Sequence, residues 1–88
     1  MAWKVEFQKS AAKKLRALDR PIQQRIVTYF RTRVLSADDP RQLGKALTGE
    51  KGGLWRYRIE DYRAICRLKD EKLVVLVLEL GHRREVYR

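Results

Sequence analysis

Cysteine, histidine and methionine each occur once in this 88-residue chain, and proline only twice. A single thiol, Cys66, closes no internal disulfide, and the one histidine, His82, has no cysteine at metal-ligand spacing. Long apolar runs are missing too. The longest, LVVLVLEL at 73–80, falls far short of the roughly 20 residues that a membrane span needs, and residues 1–20 hold no continuous apolar segment of signal-peptide type. These absences predict a cytoplasmic protein with a reduced thiol, no membrane association, no metal and no cofactor. Acid is the scarcest charge: 11 Asp and Glu stand against 21 Lys and Arg, a formal net charge of +10. Hydrophobic residues make up 44% of the chain and occur in nearly every segment, so this charge sits on a folded body and calls for a polyanionic partner, nucleic acid or an acidic protein.

What is present reads as one domain, residues 1–88, with room for a single core. In AWKVEF, Trp3, Val5 and Phe7 alternate with Lys4 and Glu6, the period of a strand buried on one face. Ser10 is placed to cap a helix with Ala11, Leu15 and Leu18 inward and Lys13, Lys14 and Arg16 outward. Asp19 and Pro21 open a second helix whose inward stripe, Ile22, Ile26, Tyr29, Phe30 and Val34, runs to about Leu35, giving a helical hairpin. A connection rich in Gly, Asp and Pro follows from Ser36 to Gly53, with a turn of helix expected around 43–47. Three strand-like runs come next: Leu54–Ile59, Tyr62–Lys69 and Leu73–Leu80. The last is apolar on both faces and is expected to be the central strand, and REVY to add a short final one. The predicted fold is α+β in two layers: an N-terminal strand, a helical hairpin, then an antiparallel sheet of three to four strands.

Alternation sorts the charges of this sheet. Arg56 and Arg58 share a face opposite Trp55, Tyr57 and Ile59, while Arg63 and Arg67 lie opposite Tyr62, Ala64 and Cys66. If the aromatic and small residues meet the helices, the four arginines line one exposed basic face. A solvated outer face would also be polar, but like charges on adjacent strands repel by tenths of a kcal/mol to ~1 kcal/mol per close pair. Guanidinium forks bind phosphate oxygens in pairs, which favours a phosphodiester ligand. A second cluster, GHRREVYR, follows the apolar strand and carries His82, Arg83 and Tyr87 to the expected rim of that face.

The ordered segment LWRYRIEDYRAICRLKDEKLVVLVLELGHRREVY, preceded by strand, helical hairpin and KALTGEKGG, resembles the RelE/ParE superfamily of bacterial toxins, and most closely its RelE-type messenger RNA interferases. The likeness covers nearly the whole chain, and its most specific parts are Tyr62-Arg63 and Gly81-His82-Arg83 with Tyr87. It implies a type II toxin that cuts messenger RNA in the ribosomal A site and is held inactive by a RelB-like or other antitoxin. Two positions depart from the family pattern. Glu60 stands where a glycine is common, so a wider turn is expected there. Arg56 and Arg58 stand where lysines are common, and a guanidinium stabilises an anion but is a poor general base.

RNA cleavage by the ribose 2′-oxygen needs no protein nucleophile or metal. It needs in-line positioning, charge stabilisation and proton transfer. The expected catalytic set is Arg56, Arg58, Arg63 and Arg83 for charge, with His82 and Tyr87 for the proton or for orienting the 2′-hydroxyl. Lys13, Lys14, Arg16, Lys45, Lys51 and Arg67 are the expected RNA-positioning residues. A ParE-like DNA gyrase inhibitor, a non-catalytic nucleic-acid-binding module and a protein that sequesters an acidic partner remain alternatives. The His82, Arg83 and Tyr87 cluster speaks for the RelE type.

Overall fold

The computed structural model describes residues 3–86. Helices α1 (Lys9–Arg16) and α2 (Arg20–Tyr29) cover one face of a sheet formed by β1 (Lys4–Phe7), β2 (Lys45–Ala46), β3 (Trp55–Ile59), β4 (Tyr62–Lys69) and β5 (Val74–His82). The spatial order is β1-β5-β4-β3-β2. Every neighbouring pair is antiparallel except β1 and β5, which run parallel, Lys4 opposite Val74 and Phe7 opposite Val77. The two-layer α+β expectation holds, but the sheet is mixed and has five strands: the first strand joins the C-terminal ones, and the long connection supplies β2. β4, not β5, is therefore the middle strand.

The inward residues of both layers interlock as their periodicity requires. Val75, Val77 and Leu80 of β5, Ala64 and Cys66 of β4, and Tyr57 and Ile59 of β3 pack against Ala11, Ile26, Phe30 and Val34. Phe30 is the hub, meeting Phe7, Tyr29 and Tyr57 edge-on at ring separations of 6.1, 5.8 and 5.6 Å. Among the described residues no helix is long and apolar enough to cross a membrane.

Four local expectations change. Ser10 lies inside α1 rather than at its cap, because the Gln8 N–H still bonds Val77 O at 2.9 Å and the helix starts directly from the sheet. α2 ends in a π-helical turn, Phe30–Val34, closed by the Leu35 N–H on Phe30 O at 2.8 Å. The expected helical turn near 43–47 is a 3₁₀ turn at Pro40–Leu43, opened by Asp39, whose carboxylate accepts the Arg41 N–H at 3.0 Å. Residues 45–46 are instead drawn into β2. The tail forms a short helix, α3 (Arg83–Val86), not a strand: β4 begins at Tyr62 opposite His82, so no ladder partner remains beyond it.

Tyr57 and Arg41 tie the connection to the sheet. The buried Tyr57 hydroxyl donates to Pro40 O at 2.7 Å, and Gly44 lies so flat on the ring that a Cβ there would meet it at 3.0 Å. Arg41 grips Asp70 with both arms, at 3.0 and 2.6 Å, and holds its carboxyl below the usual range. Tyr57→Phe is expected to lower stability by about 1–2 kcal/mol in urea unfolding, the effect of stranding a buried carbonyl. Because the Asp70 pKa is depressed, its contribution is present above the ordinary carboxylate pKa and lost as pH falls through the lowered one. Asp70→Asn is therefore expected to flatten the acid limb of urea midpoints measured below about pH 4.

Candidate functional site

On the sheet face away from the helices, Arg58 sits opposite Arg63, which sits opposite Gly81. In the adjoining row, Lys45, Arg56, Ile65 and Glu79 lie side by side, and Arg67 lies opposite Leu76. Gly81, opposite Arg63, presents no side chain to this face. Arg63 is not exposed as the alternation suggests: it is 7% accessible, and its Nη1 donates to Glu60 O at 3.2 Å and Tyr62 O at 3.1 Å. Burial lowers its pKa from the usual arginine value, and the nearby charges of Arg58, Arg56 and Arg83 lower it further. Arg83 is thus near enough for its charge to act on Arg63, as Arg56 and Arg58 do from the same sheet face. Arg83 reaches the group because its N–H bonds Asp61 O at 2.8 Å, pinning the start of α3 to the β3–β4 turn.

That turn is tight, not widened. Ile59 pairs with Tyr62, so Glu60 and Asp61 alone make the loop, with Glu60 at φ 55°. A residue with a Cβ is strained there. The Arg63 and Arg83 bonds to the turn carbonyls, and an Arg25–Glu60 ion pair at 3.4 Å, hold it.

A β-bulge moves His82 off the arginine face. Ile65 pairs with Glu79 and Cys66 with Val77, so Leu78 is the extra residue on β5. From there the alternation flips: Leu80 turns to the core, Gly81 to the arginines, and His82 to the helix side next to Tyr62. The His82 and Tyr62 rings meet edge-on at 5.6 Å, and His82 Nδ1 accepts the Arg84 N–H at 3.3 Å. Strict alternation along LVVLVLELGH would instead have placed it among the arginines. Tyr87 lies outside the described residues.

The expected positioning residues divide. Lys45 and Arg67 share the arginine face. Lys51 reaches it but pairs with Glu79 at 2.9 Å. Lys13, Lys14 and Arg16 are exposed on α1, in the helix layer, and Lys14 lines a pocket with Leu78, Glu79, Leu80 and Gly81 of β5. Two residues not singled out from the sequence, Arg25 and Arg33, line a groove with Arg58. Their spacing with Tyr29, four residues apart each time, is the signal that would have found them.

A two-layer α+β fold with a cationic sheet face defines the class, and the comparisons define the family. The model of the ParE toxin of the type II toxin–antitoxin system parDE matches residues 5–87. Toxin RelG of Mycobacterium tuberculosis is 36% identical over 50 residues, which span 57% of this chain and 58% of RelG, so the alignment covers little more than half of that relative. Among solved structures, the toxin–antitoxin complex RelBE2 of Mycobacterium tuberculosis superposes with a TM-score of 0.84 at 28% identity, covering 94% of this chain and 100% of the matched one. The archaeal RelE–RelB complex from Pyrococcus horikoshii gives 0.70 at 27% identity, covering 98% and 100%. The chain belongs to the ParE toxin family, within the RelE/ParE superfamily. It is a RelE-like toxin of a type II toxin–antitoxin system.

The arginines of this face have different structural duties. Arg63→Ala removes both turn-carbonyl bonds and a buried side chain, and is expected to lower stability by about 1–3 kcal/mol. Arg58→Ala relieves a like-charge pair and is expected to be neutral or stabilising by up to about 1 kcal/mol. Urea unfolding of the two variants checks the contrast.

Proposed function

We propose that this toxin is a metal-independent endoribonuclease that cleaves messenger RNA in the ribosomal A site and so inhibits translation. The observation that supports the reading is the register that sets Arg56, Arg58 and Arg63 on one sheet face, with Arg83 near enough for its charge to act on Arg63. In this reading the ribose 2′-oxygen attacks the adjacent phosphorus in line. The new O–P bond forms as the bond to the 5′-oxygen breaks, leaving a cyclic phosphate and a 5′-hydroxyl. Guanidiniums aimed at the phosphate oxygens stabilise the charge that builds in the transition state. Lys45 and Arg67 hold the flanking backbone.

The proton work falls to Tyr87 rather than His82. The Nδ1 lone pair of His82 already takes the Arg84 N–H, and its ring packs on Tyr62 across the sheet from Arg63. His82 then shapes the start of α3, which delivers Arg83. An antitoxin partner belongs to the same proposal, supported by the two solved complexes, in which the toxin is paired with its antitoxin. The +10 charge suits an acidic partner segment that folds on binding.

Mapping messenger RNA 5′ ends after brief expression tests the reading; cuts inside translated frames are expected. Inhibition of DNA supercoiling without such cuts would favour the second reading, gyrase poisoning, which the ParE family match motivates. In single-turnover cleavage on programmed ribosomes, Arg83→Ala is expected to lose about 10²–10³-fold, the effect of removing one transition-state donor. Tyr87→Phe is expected to lose rate heavily. His82→Gln is expected to stay within about tenfold, and a loss as deep as that of Tyr87→Phe would return the proton to His82.

A further inference from the structure

An open groove of about 650 Å³ runs between α2 and the edge of β3. Arg25, Tyr29 and Arg33 line one wall, Arg58 and Ile59 the other, and Glu60 closes one end. The groove exists because β2 pairs with β3 only as far as Arg56, so the strand from Tyr57 onward carries no outer neighbour among the described residues. Arg58 thus faces two ways. It stands opposite Arg63 on the arginine face and also lines the groove.

The π-helical turn contributes the third cation. An α-helix advances about 100° per residue, so Arg33, eight residues beyond Arg25, would lie about 80° around the axis from it. The wider turn at Phe30–Val34 takes up part of that offset and keeps Arg33 over the same groove, close enough for its charge to act on the Tyr29 phenol. Such insertions recur at functional sites. Three guanidiniums therefore face one carboxylate, Glu60, whose pairing with Arg25 at 3.4 Å is more than half exposed on both sides and yields readily.

We propose that this groove is a second RNA-binding site, which receives the phosphodiester backbone of single-stranded RNA as it leaves the arginine face, Arg58 being shared and Arg25 and Arg33 binding phosphates beyond it. The inference rests on the RNA-cleaving reading. Continuity through Arg58 favours RNA over an acidic protein segment, because a strand held at Arg56, Arg58 and Arg63 can leave past this edge without releasing Arg58, whereas a separate partner would have to compete for that residue.

The test is fluorescence anisotropy of the full-length toxin with labelled, uncleavable 2′-O-methyl oligonucleotides of about 4 and about 12 nucleotides, lengths that bracket a short site and an extended one. The double variant Arg25→Gln/Arg33→Gln is expected to bind the long probe about tenfold more weakly and the short probe unchanged. Its salt slope should be shallower by about 0.7 for each phosphate it no longer neutralises. Glu60→Gln is expected to tighten the long probe two- to threefold, a gain that damage to the fold cannot imitate. Long-probe affinity within about twofold of wild type in the double variant, with Arg56→Gln weakening both probes, overturns the groove and leaves the RNA reading standing. Unchanged binding of both probes in Arg56→Gln as well would overturn both. If the double variant loses only its affinity for the antitoxin, the groove belongs to a protein partner and the proposal fails.

Discussion

A guanidinium buried against two carbonyls holds the cationic face together. Arg63 spends Nη1 on Glu60 O and Tyr62 O, and in doing so fixes a two-residue turn that its own sequence disfavours. The next carbonyl of that turn, Asp61 O, receives the Arg83 N–H. One side chain therefore sets the turn, the turn sets where α3 begins, and α3 delivers Arg83 to Arg63. Buried charge is tolerable only when hydrogen-bonded, and here the bonding partners are the backbone of the turn itself.

Three acids near the sheet are paired with cations at its margins. Glu79 pairs with Lys51, Glu60 with Arg25, and Asp70 with Arg41. Each pair sits at the margin of the sheet or on a turn and is substantially exposed, where such bonds contribute little to stability. Their effect is on the field: Lys51, Arg25 and Arg41 each offset a carboxylate, and the excess of positive charge over this part of the molecule remains.

The strands and their faces were legible because period-two alternation in β3 and β4 is unbroken. Arg56 and Arg58 had to share a side, and Tyr62–Lys69 matches its strand residue for residue. The position of His82 was not legible from simple alternation, since one inserted residue reverses every side chain that follows it. A clue was present in Glu79, which shares the parity of Val75 and Val77; a carboxylate falling in a core row demands a reset of phase. The burial of Arg63 was hidden for another reason. It rests on bonds to the carbonyls of Glu60 and Tyr62, which come within reach only once the β3–β4 turn has formed. Ser10 misled because capping preference assumes a free helix start, and here the sheet dictates where α1 begins.

The parallel ladder between β1 and β5 joins Lys4–Phe7 to Val74–Val77, segments at nearly opposite ends of the chain. During synthesis β1 and the helical hairpin emerge first, with Phe7, Ile26 and Phe30 awaiting a sheet that does not yet exist. Native pairing of this long range is slow to nucleate, and exposed apolar surface persists until it closes. Arg63 and Gly81 also meet only when the last strand arrives. The cationic face is thus incomplete by topology until β5 has been made.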